Sequence, residues 1–119
     1  MIEPTTYAAL LEQNRDILAR HTARHDLSGV RDIEIASRYL DWDTAMAART
    51  YVVEKYRVQK EVLFRVVSRK YAADDIVINL IFGLETVPEA ESITRYEIML
   101  LDAADKFGGE VPGWEIAPQ

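Results

Sequence analysis

Apolar and polar positions along this chain follow two periods, one of three to four residues and one of two. Tyr7, Leu10, Leu11, Asn14, Ile17, Leu18 and His21 recur at spacings of three and four, the stripe of an amphipathic helix. Thr5 and Thr6 follow Pro4 and could cap its start, so a helix is expected over about residues 5–25, with Gly29 as the breaker. In RDIEIASRYL the period falls to two. Ile33, Ile35, Ser37 and Tyr39 share one side, and Asp32, Glu34, Ala36 and Arg38 the other, which predicts a half-buried strand. Asp41 or Asp43 can then cap DTAMAARTYVVEKY, a helix expected to bury Ala45, Ala48, Val52 and Tyr56.

EVLFRVVSRKY and DIVINLIFGLE are the most strand-like stretches, and the short polar AADD between them predicts an antiparallel hairpin. One face would carry Val62, Phe64, Val66, Ile76, Ile78, Leu80 and Phe82. The other, with Leu63, Arg65, Val67, Arg69, Val77, Asn79 and Ile81, is mixed, so a partial cover is expected from the N-terminal helix, a second copy or a partner. A long helix is expected from about Pro88 to Phe107, with Pro88 in its first turn and Glu89 and Glu91 at the positive end of its dipole. Its stripe is Ile93, Tyr96, Leu100, Ala103 and Phe107; Gly108 and Gly109 stop it, and GWEIA reads as a short last strand.

The order is one helix followed by two β-α-β units. It predicts an α+β fold, a ferredoxin-like βαββαβ sandwich with an extra N-terminal helix. Right-handed crossovers would put the second and third helices on one sheet face. With 119 residues the chain is expected to form one domain over residues 1–119, its βαββαβ core spanning about 31–117.

Composition narrows the function. No apolar run approaches the ~18 to 20 residues of a membrane-spanning helix. The N-terminal sequence does not resemble a secretory signal, and cysteine is absent, so a cytoplasmic protein is expected. The net charge is −6 and the pI about 4.9, which disfavours binding to nucleic acid. Residues 49–70 nevertheless hold seven cations, Arg49, Lys55, Arg57, Lys60, Arg65, Arg69 and Lys70, against two anions, Glu54 and Glu61, a net of +5. The remainder holds seven cations against eighteen anions, a net of −11. The pattern suggests a basic strip on an acidic body that could steer a cationic partner.

Candidate chemistry is sparse. His21 and His25 have helical i, i+4 spacing, but a stable metal site needs three or four ligands; two helix-end histidines account for the pair. Asp74 and Asp75 suit a turn better than a carboxylate dyad. Ser28, Ser37, Ser68 and Ser92 lack a nucleophile-elbow context, and the two glycines at 108–109 follow a helix rather than open one. The expectation is a non-enzyme with no metal and no cofactor. The strand register puts Phe64 and Phe82 on the apolar face, away from any RNA-stacking surface, though Arg65, Arg69 and Lys70 leave a weak RNA-binding reading open. Trp114, after the helix stop, is expected to pack back on that helix with its N–H satisfied, a partner hot spot being the competing reading.

The stretch ITRYEIMLLDAADKFGGEVPGWE, with DIVINLIF and LLEQNRDILARH, resembles the family of ribonuclease E activity regulator B, the RraB-like proteins. The positions that carry the likeness are Ala104, Asp105, Lys106 and Phe107 at the helix end, then Gly113 and Trp114. The resemblance implies a ferredoxin-like fold and a non-catalytic regulator. Such a regulator binds a protein partner, the arginine-rich scaffold region of ribonuclease E, and slows RNA decay. Charge alone nominates Asp41, Asp43, Glu85, Glu89 and Glu91 as partner contacts. An adaptor or immunity-type protein that binds some other partner is the alternative. Monomer and homodimer are both open.

Overall fold

The two sequence periods become three helices and a four-stranded sheet in the computed structural model, which describes residues 4–58, 63–72 and 75–117. In chain order the elements are α1 (Pro4–Thr22), β1 (Arg31–Tyr39), α2 (Trp42–Tyr56), β2 (Leu63–Ala72), β3 (Asp75–Thr86), α3 (Ala90–Phe107) and β4 (Gly113–Ile116). The sheet order is β2-β3-β1-β4, and every neighbouring pair is antiparallel. Each β-α-β connection therefore passes over one strand: β3 lies between β1 and β2, and β1 lies between β3 and β4.

The period-two alternation sets the core. Ile33 pairs with Leu84 and Ile35 with Phe82, and all four are buried under α2 and α3. Phe64 stacks on Phe82 with ring centroids 4.0 Å apart, and Tyr96 of α3 leans on the same ring at 5.1 Å. Ala45, Ala48 and Val52 bring α2 close to the sheet, because small side chains allow a close approach. Tyr56, expected in that buried set, is only half-buried and turns its hydroxyl to α3.

Helix ends differ from expectation by one to three residues. α1 begins at Pro4, whose fixed φ suits a first helical position, so Thr5 and Thr6 lie inside the first turn instead of capping it. It closes at Thr22, and turn hydrogen bonds carry the chain on to His25, whose N–H donates to His21 O. Asp41 caps α2, its carboxylate accepting the Thr44 N–H at 2.8 Å, while Asp43 sits in the first turn. α3 starts at Ala90, because Glu89 keeps an extended backbone (φ −133°, ψ 136°); Pro88 therefore precedes the helix.

The mixed outer face of the sheet has a cover that the sequence pattern did not suggest. α1 packs along α3 on the helical side. On the outer face Ile81 is only 1% exposed and Asn79 only 5%. Arg65, the cross-strand neighbour of Ile81, and Arg69 reach across to the Glu34 carboxylate at 3.3 and 3.2 Å. Gly83, opposite Glu34, leaves room for that crossing, and the long arginine stems shield the apolar side chains beneath. Ala72 pairs with Asp75 at the hairpin end; Ala73 and Asp74 of the expected turn, and Val62, Lys60 and Glu61, lie outside the described residues.

Candidate functional site

Three polar clusters brace the described fold, and they take in Lys55, Arg65, Arg69 and Trp114 from the residues the sequence singled out. The first joins α2 to α3. Asp102 Oδ2 accepts from Lys55 Nζ at 2.6 Å, from the Tyr56 hydroxyl at 2.5 Å and from the Tyr51 hydroxyl at 3.0 Å. Burial alone would raise the Asp102 pKa, but Lys55 and the two tyrosines outweigh it and hold the carboxyl below its ordinary value. Burial, with the carboxylate as hydrogen-bond acceptor, pushes Tyr56 up to about 12. Lys106 stands 4.6 Å over the Tyr51 ring, and Phe107 meets that ring edge-on at 5.7 Å.

The second cluster joins α1, α3 and β4. Asn14 is a polar member of the α1 stripe, and it is buried. Its amide Nδ2 donates to Thr94 Oγ1 at 2.8 Å and to Glu97 Oε1, while its Oδ1 accepts the Trp114 indole N–H at 2.8 Å. The four side chains come from three elements, and α1 lies 80 or more residues from its partners on α3 and β4. Burial raises the Glu97 pKa, and the neutral Asn14 amide offsets it only in part. Asp102 and Glu97 thus shift in opposite directions on one helix. Three donors, one of them cationic, lower the Asp102 pKa against the effect of burial; one neutral donor does not outweigh burial at Glu97. His21 lies 6.3 Å from the Trp114 ring and His25 is exposed. Among the described residues no three His, Cys, Asp or Glu side chains converge as a metal site.

The third cluster is the Glu34 brace. It disperses the cations that are crowded together in sequence. Arg49 donates to the Phe64 carbonyl at 3.0 Å and Lys55 binds Asp102, both on the helical side, whereas Arg65 and Arg69 lie on the outer face. On the central strands that outer face carries Glu34, Ala36, Arg38, Val77, Asn79, Ile81 and Gly83, with no aromatic ring for a base to stack on. On that face Arg38, Arg69, Asn79, Glu110 and Glu115 line a groove of about 280 Å³ in which both signs of charge are mixed.

The nominated carboxylates are exposed, but they form two groups. Asp41 and Asp43 stand where β1 ends and α2 begins; Glu85, Glu89 and Glu91 stand where β3 ends and α3 begins. β1 and β3 are antiparallel, with Arg31 opposite Thr86, so the two groups sit at opposite ends of the sheet. The Thr44 N–H holds the Asp41 carboxyl below its ordinary range, and Arg15, at 3.0 Å, does the same for Glu91. The Arg15–Glu91 pair is exposed on both sides and adds little stability. Sequence reasoning missed the large apolar side chains beside the first group: Leu40 is 96% exposed and Trp42 46%. The interrupted alternation after Tyr39 was the available signal, since Leu40 falls on the polar phase of the strand.

The resemblance positions occupy the helix stop and last strand. Ala104 O accepts the N–H groups of both Gly108 and Gly109, Asp105 and Lys106 are exposed, Phe107 packs on Tyr51, and Gly113 pairs with Ala36 to open the strand that carries Trp114. Compared with protein-family models and with curated proteins, the chain matches none.

Proposed function

We propose that this chain is a non-catalytic, protein-binding regulator built on a ferredoxin-like arrangement, of the kind the RraB-like resemblance implies. Its partner on that reading is the arginine-rich scaffold region of an RNase E-type endoribonuclease, and it acts by covering that region. The observation that carries the proposal is the division of labour among its carboxylates. Asp102, Glu97 and Glu34 are engaged in bracing the fold, while Asp41, Asp43, Glu85 and Glu89 stand exposed where β1 gives way to α2 and β3 to α3, within reach of a cationic chain. The interleaved strand order and the α2–α3 layer support the fold assignment.

The test is capture of the purified scaffold region at low salt. Wild-type protein should retain it and lose it as salt rises, because exposed charges are screened over about 8–10 Å at physiological ionic strength. Neutralising one end, Asp41→Asn with Asp43→Asn, or the other, Glu85→Gln with Glu89→Gln, should identify the end in use. No capture by wild-type protein at low salt would refute the assignment to this partner.

A further inference from the structure

At the corner where β1 passes into α2, three large apolar side chains face solvent. Leu40, Trp42 and Met46 are all exposed, Leu40 almost completely. Trp42 and Met46 are four apart on α2 and so share one helix face. A single exposed leucine is ordinary, but three such side chains between residues 40 and 46 form a patch. Asp41 and Asp43 are interleaved with them and exposed. The Thr44 N–H fixes the Asp41 carboxylate, so the corner is preformed and loses little freedom on binding.

We infer that this corner is the docking point for a cationic, amphipathic segment of a protein partner. Its large apolar side chains meet Leu40, Trp42 and Met46, and its Lys or Arg residues meet Asp41 and Asp43. An exposed aromatic anchor ringed by charge has the composition of an interface hot spot. Charge complementarity selects the occupant. A second copy of this chain would set Asp41 and Asp43 against their own counterparts in a two-fold contact, and an anionic lipid surface would be repelled by the same groups. The inference rests on the protein-binding reading above and deepens it by choosing one end of the sheet and adding apolar anchors to the charge.

The test selects a displayed library of random peptides on the intact chain, then measures the enriched sequences as synthetic peptides. Enriched peptides should combine Lys or Arg with large apolar residues and shift the Trp42 fluorescence to the blue. Leu40→Ser and Trp42→Ala should each weaken binding about tenfold or more while the circular dichroism of the chain stays unchanged. Asp41→Asn, which preserves the helix cap, should weaken binding less and reduce its salt dependence. Failure to enrich any peptide, enrichment of acidic ones, or binding unaffected by Leu40→Ser and Trp42→Ala would overturn the inference. So would Leu40-dependent dimerisation in the ultracentrifuge, or Leu40-dependent binding to anionic vesicles. The two readings fail separately. Scaffold capture that depends on Glu85 and Glu89 but not on Leu40 removes the corner and keeps the regulator; corner-dependent basic peptides without scaffold capture do the reverse.

Discussion

Gly108 and Gly109 stand side by side for different reasons. Gly108 closes α3 in the left-handed region (φ 75°), where a β-carbon crowds the backbone. Around it there is open space. Gly109 lies against the Tyr39 ring, and a β-carbon there would stand 2.6 Å from the ring carbon Cζ. Tyr39 is buried, so it has little room to retreat. Gly108→Ala should cost about 1 kcal/mol from backbone strain alone. Gly109→Ala should cost more, about 1–3 kcal/mol, from overpacking. Urea unfolding of both variants checks the order, and a larger loss for Gly108→Ala would contradict it. The two tryptophans differ in the same way. Trp114→Phe deprives Asn14 Oδ1 of its donor and should cost about 1–3 kcal/mol, whereas Trp42→Phe, at an exposed site, should be close to neutral in the same urea experiment.

α3 carries two buried carboxylates with opposite pH signatures. The Glu97 pKa is raised, so its contribution to stability is complete below the ordinary Glu value of 4.5 and is lost as pH climbs through the raised folded value. Glu97→Gln should therefore gain stability relative to wild type between pH 4 and 7, a range that starts near that ordinary value. The Asp102 pKa is lowered, so its contribution is present above 3.8 and disappears as pH falls through the lower folded value. Asp102→Asn should cost about 2 kcal/mol at neutral pH and converge on wild type in strong acid. Urea melts across pH separate the two; a gain from Asp102→Asn at neutral pH would reverse the account. These residues also mark the limit of what the sequence made legible. Ile93, Leu100, Ala103 and Phe107 announce themselves by period, as do Ile33 and Ile35, because one buried face imposes one repeat. Thr94, Glu97 and Asp102 do not, since they are buried by two neighbouring helices and not by the sheet. Asn14 stood out as a polar residue in an apolar stripe, yet its partners lie 80, 83 and 100 residues away. At the candidate site, a helix cap at Asp41 or Asp43 was legible, and the structure uses Asp41. Leu40 left one local trace, its place on the polar phase after Tyr39, but how far it is exposed depends on what fails to pack over it, which a local pattern does not record.

At the scale of the molecule, the proposed docking divides between a charge of −6, felt at range, and the exposed Leu40–Met46 corner, felt on contact. The first should set how fast a cationic partner arrives and the second how long it stays. Stopped-flow mixing over a salt series should find the association rate falling steeply while the dissociation rate of the corner-bound state changes little; a dissociation rate that rises as steeply would leave only charge at the interface. The clasp at Asn14 has a different consequence, one of timing. α1 leaves the ribosome before α2 and α3, yet Thr94, Glu97 and Trp114, which seat it, follow Asn14 by 80, 83 and 100 residues. A nascent chain stalled before residue 114 can pair β1 with β3 but has no indole to offer Asn14. Of the three described helices, the earliest made is then the last to dock, and a protease added to stalled nascent chains should cut within α1 until Trp114 has emerged.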